Sequence, residues 1–152
     1  VSFFPSIKFH IIVGNFNKNN QKFRKIQKIK KNTKFYFNLD NEKIINVIKK
    51  SELAIGAGGV NMIERLYFNL PSFIICVADN QKNATEYLKN QNSIIHLGKS
   101  RNVSSKKISD NLENLIKHKK SFEILQKNTL KVSLNLNSSN PIIKKLNSVL
   151  IK

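Results

Sequence analysis

"SELAIGAGGVNMIERLYFNLPSFIICVADNQ", Ser51 to Gln81, decides how this chain folds. An apolar run, "LAIGAGG", ends in Gly56, Gly58 and Gly59, and a helical pattern follows at once. In that pattern Ile63, Leu66, Tyr67 and Leu70 recur at i, i+3, i+4 and i+7, which predicts a helix with this face turned inward. Pro71 forbids its continuation. "SFIICVA" (Ser72–Ala78) is then nearly continuous apolar sequence, as expected of a central parallel strand buried on both faces.

The same alternation extends in both directions. Upstream, "IKFHIIVG" (Ile7–Gly14) and "KFYFNL" (Lys34–Leu39) read as strands, and Asn19–Lys31 reads as a basic helix. "DNEKIINVIKKS" reads as a helix with Asp40 as its N-cap, Glu42 in its first turn, and an apolar stripe of Ile44, Ile45 and Ile48. Downstream come a short helix, "NATEYLKNQ" (Asn83–Gln91), and a last strand, "SIIHLG" (Ser93–Gly98). The remainder is helical. Ile108, Leu112, Leu115 and Ile116 keep helix spacing, and Asn140-Pro141 opens a final helix carrying Ile142, Leu146, Val149 and Leu150. The prediction is an α/β fold, a parallel sheet with right-handed crossovers and helices on both faces. It forms one domain over residues 1–152, with a core at 7–98 and C-terminal helices at 104–152.

Composition narrows the function. Hydrophobic residues are 40% of 152, enough for one globular core. No apolar run approaches the roughly 20 residues of a membrane span. The start, "VSFFPSIKFHIIVG", has neither an initiator Met nor the pattern of a signal peptide. The net charge of +18 suggests nucleic acid, but the cations are Lys apart from Arg24, Arg65 and Arg101. Specific recognition leans on the arginine fork, so no specific nucleic-acid partner is expected, only weak attraction to polyanions. Cys76 is the single cysteine, which suits a reducing cytoplasm, and its apolar neighbours read it as a small buried hydrophobe. His10, His96 and His118 show no metal-ligand spacing, so neither a metal nor a cofactor is expected.

Ligands of open α/β sheets sit beyond the carboxyl ends of the strands. The two polar strand exits are "GAGGVN" and "ADNQ". Gly58 and Gly59 admit close approach of a ligand, and the amides from Gly59 to Met62 open a helix toward it. That arrangement suits a phosphate or diphosphate. Glu64, three residues after Asn61 on the same face, would accept from vicinal hydroxyls. Asn61-x-x-Glu64 is also a capping box, and spacing alone leaves both readings open. Asp79, Asn80 and Gln81 offer donors and acceptors for sugar hydroxyls, and capping explains Asp79 or Asn80 as well. A dinucleotide fingerprint fails because Asn61 stands where the third glycine belongs. "GKS" at Gly98–Ser100 fails as a P-loop because Ser93 occupies the glycine position.

Ser51–Gln81, with its glycine run, Glu64-Arg65 pair, Asn69-Leu70-Pro71 and Asp79-Asn80-Gln81 loop, resembles the C-terminal half of the UDP-sugar hydrolases of pseudaminic acid biosynthesis. The resemblance implies a Rossmann-like C-terminal domain of GT-B architecture that binds UDP or a UDP-linked amino sugar. It assigns Gly58, Gly59, Val60 and Asn61 to the diphosphate, Glu64 to the ribose, and Asn80 and Gln81 to the sugar. It also implies a chain that enters near that domain's second strand. The expected partner is an N-terminal domain with the catalytic histidine, a position that none of the three histidines here matches. "VNMI" departs from the family's hydroxyl residues and Trp before the glutamate, which removes expected phosphate donors. A GT-B glycosyltransferase donor domain and a nonenzymatic polyanion-binding module are the alternatives.

Overall fold

The computed structural model describes residues 4–14, 17 and 19–139. The chain divides after Ser51 into two compact units.

In the first unit, β1 (Phe9–Val13) pairs in parallel with β2 (Thr33–Phe37), joined by α1 (Asn20–Ile29) and followed by α2 (Asn41–Lys49). Val13, Phe35 and Ile48 are its buried apolar residues, and Phe35 stacks on Phe23 of α1 with centroids 5.3 Å apart. Gln27 of α1 accepts from the Phe35 N–H at 2.8 Å, so a helix side chain satisfies a strand amide. Asp40 caps α2 as expected. Its Oδ1 accepts from Lys43 N at 2.9 Å and its Oδ2 from Lys43 Nζ at 2.7 Å, which holds the carboxyl below its ordinary pKa.

The second unit is a three-stranded parallel sheet in the order β3 (Ala54–Ala57), β4 (Ser72–Cys76), β5 (Ile95–Lys99). β4 is central, and its Phe73 and Ile74 are fully buried, as its unbroken apolar sequence requires. Helices α3 (Val60–Tyr67) and α4 (Lys82–Asn90) form the crossovers, and α5 (Ser105–Lys117) and α6 (Lys119–Ser139) follow. Met62, Leu66, Ile74, Leu88 and Ile94 make the core, covered by Val132 and Leu136 of α6. The α/β class with parallel pairing and flanking helices is therefore as read from the sequence, with its strands in two sheets.

One local reading is corrected. Leu66 and Leu70 are buried as expected, but Met62 rather than Ile63 completes the inward face of α3, and Ile63 is 37% exposed. In α5, Leu112 and Leu115 are buried but Ile116 is exposed. α3 and α4 both stop on an asparagine in the left-handed region, Asn69 (φ 54) and Asn92 (φ 50). Asn69 N–H donates to Leu66 O and Leu70 N–H to Arg65 O, with the same pair of bonds after α4, so both ends are Schellman motifs. α6 is tied down by side chains. Ser133 Oγ donates to Tyr67 O at 2.8 Å, and the Thr129 hydroxyl is shared between Leu125 O of its own helix at 2.8 Å and Ser93 O at 2.9 Å. The final helix expected from Asn140-Pro141 onward lies outside the described residues.

Candidate functional site

β3 and β4 are adjacent and parallel, so their carboxyl ends open onto the same edge of the second unit's sheet. The chain leaves β3 through Gly58 and Gly59 into α3, and leaves β4 through Val77 and Ala78 into a 3-10 turn, Asp79–Gln81. Gly59 is the N-cap of α3 and has no side chain with which to accept from its amides. Gly58 N–H donates to Ile75 O at 3.2 Å and Met62 N–H to Gly59 O at 2.8 Å, so it is the Gly59, Val60 and Asn61 amides that are left for an outside acceptor. The capping box does not form: Asn61 lies inside the helix rather than at its cap, and Glu64 stands in the second turn. Neither Asp79 nor Asn80 caps α4. Asp79 pairs instead with Lys99 at the end of β5, at 2.9 Å, which lowers its pKa through that hydrogen bond.

Gln81 joins the two exits. Val77 N–H donates to its Oε1 at 3.0 Å, which fixes the amide orientation, since only the oxygen can accept. Its Nε2 then lies 3.4 Å from where a Cβ on Gly59 would stand. Nε2 makes no hydrogen bond among the described residues and lies beside the start of α3. The backbone of Gln81 is held from behind. Thr85 Oγ1 donates to Gln81 O at 2.7 Å and accepts from the buried Cys76 Sγ at 3.4 Å.

The glycines divide by role. A Cβ on Gly58 would meet Thr85 Oγ1 at 2.8 Å, so this glycine is required by close packing of the β3 exit on α4. Only ordinary contact surrounds a Cβ on Gly59, which makes Gly59 the one whose bareness faces open space. Val60, Asn61, Glu64 and Asn80 are exposed around it, with Gly58 buried and Gly59 and Gln81 half-buried. The Glu64 carboxylate makes no hydrogen bond among the described residues and acts on the neighbouring Arg65 by charge alone.

Sequence reasoning missed Thr85, Val77 and Arg65. Thr85 follows Gln81 by four residues, the spacing at which a threonine hydroxyl meets the preceding turn's carbonyl, and that spacing was available. The histidines are occupied by structural roles. His10 Nδ1 lies 2.8 Å from Tyr36 OH, His118 Nδ1 2.9 Å from Asn114 O, and His96 Nδ1 donates to Glu86 Oε1 at 3.2 Å. A separate cavity of about 260 Å³ in the first unit, lined by His10, Lys34, Tyr36, Asn46 and Lys50 among others, contains none of the residues expected to bind ligand. Among the described residues no group of three His, Cys, Asp or Glu is placed to hold a metal, and no helix is long and apolar enough to cross a membrane.

Comparison with curated proteins gives no match. The model of the glycosyltransferase family 28 C-terminal domain matches residues 5–146 and so runs through both units. With the parallel α/β architecture and the glycine-led helix start beside Gln81, that match identifies the chain as a member of this family, a glycosyltransferase-like domain of GT-B type.

Proposed function

We propose that this chain is the UDP-binding half of a nucleotide-sugar hydrolase of the pseudaminic acid type, acting on a UDP-linked amino sugar. The observation that carries the anion site is the convergence of the Gln81 amide on Gly59, where unpaired helix amides begin. The diphosphate would lie against Gly58, Gly59, Val60 and Asn61, with Glu64 accepting from the ribose hydroxyls and Asn80 and Gln81 facing the sugar. The hydroxyl donors that "VNMI" lacks would be replaced in part by the Gln81 Nε2 protons. Residues 1–152 are read as a single domain because one family model spans both units. The unpaired, buried Cys76 supports a cytoplasmic setting.

Hydrolysis at the sugar–phosphate bond needs a base. In the hydrolases that Ser51–Gln81 resembles, that base would be a histidine of an N-terminal domain, and this half would contribute positioning and charge stabilisation. The donor domain of a glycosyltransferase would use the same binding site, and the family match fits it directly, whereas the hydrolase reading rests on the resemblance of Ser51–Gln81. The test is calorimetric titration of the chain with UDP, CMP and ADP, repeated with Glu64→Ala. Selective UDP binding that weakens about tenfold in the variant supports the reading, since a hydrogen bond to a charged group contributes about 1.5–3 kcal/mol. Binding that ignores Glu64 and collapses with salt would assign the chain to polyanion binding instead.

A further inference from the structure

Arg65 sits in the last turn of α3, yet its side chain runs back along the helix to the β3 exit. One guanidinium nitrogen, Nη2, donates to the Ala57 carbonyl at 2.7 Å, at the last residue of the strand before Gly58. A Cβ on Gly56 would stand 2.9 Å from Arg65 Nη1 and 3.2 Å from its Cζ, so the glycine is the slot in which the guanidinium lies. Nε is buried with no acceptor among the described residues. Nη1 likewise makes no hydrogen bond among them.

We propose that Arg65 is a positioning residue of the anion cradle: it holds the Ala57 carbonyl, on the peptide whose Gly58 N–H donates to Ile75 O, and with it the turn that leads into the Gly59–Asn61 amides, and sets a positive charge behind them. The inference rests on the reading of this site as a UDP site. Burial disfavours the charged guanidinium while the Glu64 carboxylate favours it. Alone, Arg65 is an incompletely compensated cation, and a diphosphate at the cradle supplies further negative charge. The carbonyl it grips belongs to the backbone that turns into the helix start, so displacing the side chain disturbs amide geometry and charge together. The ligand group that feels it is the anionic one. The nucleoside is not favoured by it.

The test compares UDP with uridine in the full chain by calorimetry, for the native protein and for Arg65→Met, Arg65→Lys and Gly56→Ala, with a melting curve for each. Arg65→Met is expected to lower the UDP-to-uridine affinity ratio about tenfold, the order of effect of one nearby charge in a partly screened site. Arg65→Lys restores part of it, because the charge remains without the planar fork. Gly56→Ala also lowers the ratio with the arginine still present, since the methyl group displaces it. Should Arg65→Met fail to fold, the other two variants carry the comparison. An unchanged ratio in folded Arg65→Met or Gly56→Ala overturns the inference while leaving the UDP site intact. Absence of UDP binding by the native chain overturns the site itself, and the inference with it.

Discussion

Replacing Gly58 by alanine puts a methyl carbon 2.8 Å from Thr85 Oγ1, 3.2 Å from Ile74 Cγ2 and 3.4 Å from Gln81 Oε1. None of these neighbours is a free end. Ile74 and Thr85 are fully buried, and Thr85 Oγ1 is held between Gln81 O and Cys76 Sγ. The clash must therefore be relieved by moving α4 or the β3 exit, an overpacking cost of about 2 kcal/mol. In a unit of this size that lowers the melting temperature by roughly 8 °C or more. Urea unfolding of Gly58→Ala, Thr85→Ala and the double variant isolates the cause. With Oγ1 gone, the alanine at 58 is expected to cost less than about 1 kcal/mol, a coupling of the size found for touching residues. A Gly58→Ala protein within about 0.5 kcal/mol of native, the range of an inconsequential surface change, would refute the reasoning. So would an equal cost in both backgrounds.

Gly59→Ala is the complement. Its Cβ meets Gln81 Nε2 only at 3.4 Å, so the variant is expected to melt with the native protein but to bind UDP about tenfold more weakly, because the methyl fills the approach to the helix amides. Native-like UDP affinity in calorimetry would move the ligand elsewhere. Acid sensitivity follows from three carboxyls. Asp40, Asp79 and Glu86 are each lowered, first by hydrogen bonds from Lys43, Lys99 and Lys89 respectively. A folded pKa below the unfolded value gives stability that is present above the unfolded pKa, about 4, and is lost as pH falls through the folded one. Melting temperatures are expected to be level between about pH 5 and 7 and to drop below about pH 4, with a smaller drop in 1 M salt. A melting temperature that stays level to pH 3 contradicts this.

The second unit's framework was legible because β4 is apolar without interruption and the flanking elements alternate in period. That pattern gives strand order little freedom once each crossover is one helix long. The phase of α3 was not legible. Met62 and Ile63 are both apolar, and only the packing of the helix on Ile74, Leu88 and Ile94 decides that Met62 is the one in the core. The stop after α3 was legible in Pro71, but its cap was not: Asn69, just past the helix end at Tyr67, takes the left-handed conformation that usually falls to glycine. At the candidate site the glycine run was visible, while its division of labour was not. The partners of Gly56 and Gly58 are Arg65 and Thr85, which lie 9 and 27 residues further along the sequence and meet them only in the folded unit.

The side-chain ties of α6 bear on how this unit is made. Tyr67 O waits for Ser133, 66 residues later in the chain, and Ser93 O for Thr129, 36 residues later. Until that helix has been synthesised and has docked, Met62 and Leu66 lack the cover of Val132 and Leu136. Closing such distant contacts takes loop entropy first and rewards it last. The binding end of the sheet is encoded early, but the clamp that completes its packing arrives late. Translation past Leu136 therefore sets the earliest moment at which the second unit can reach its final packing.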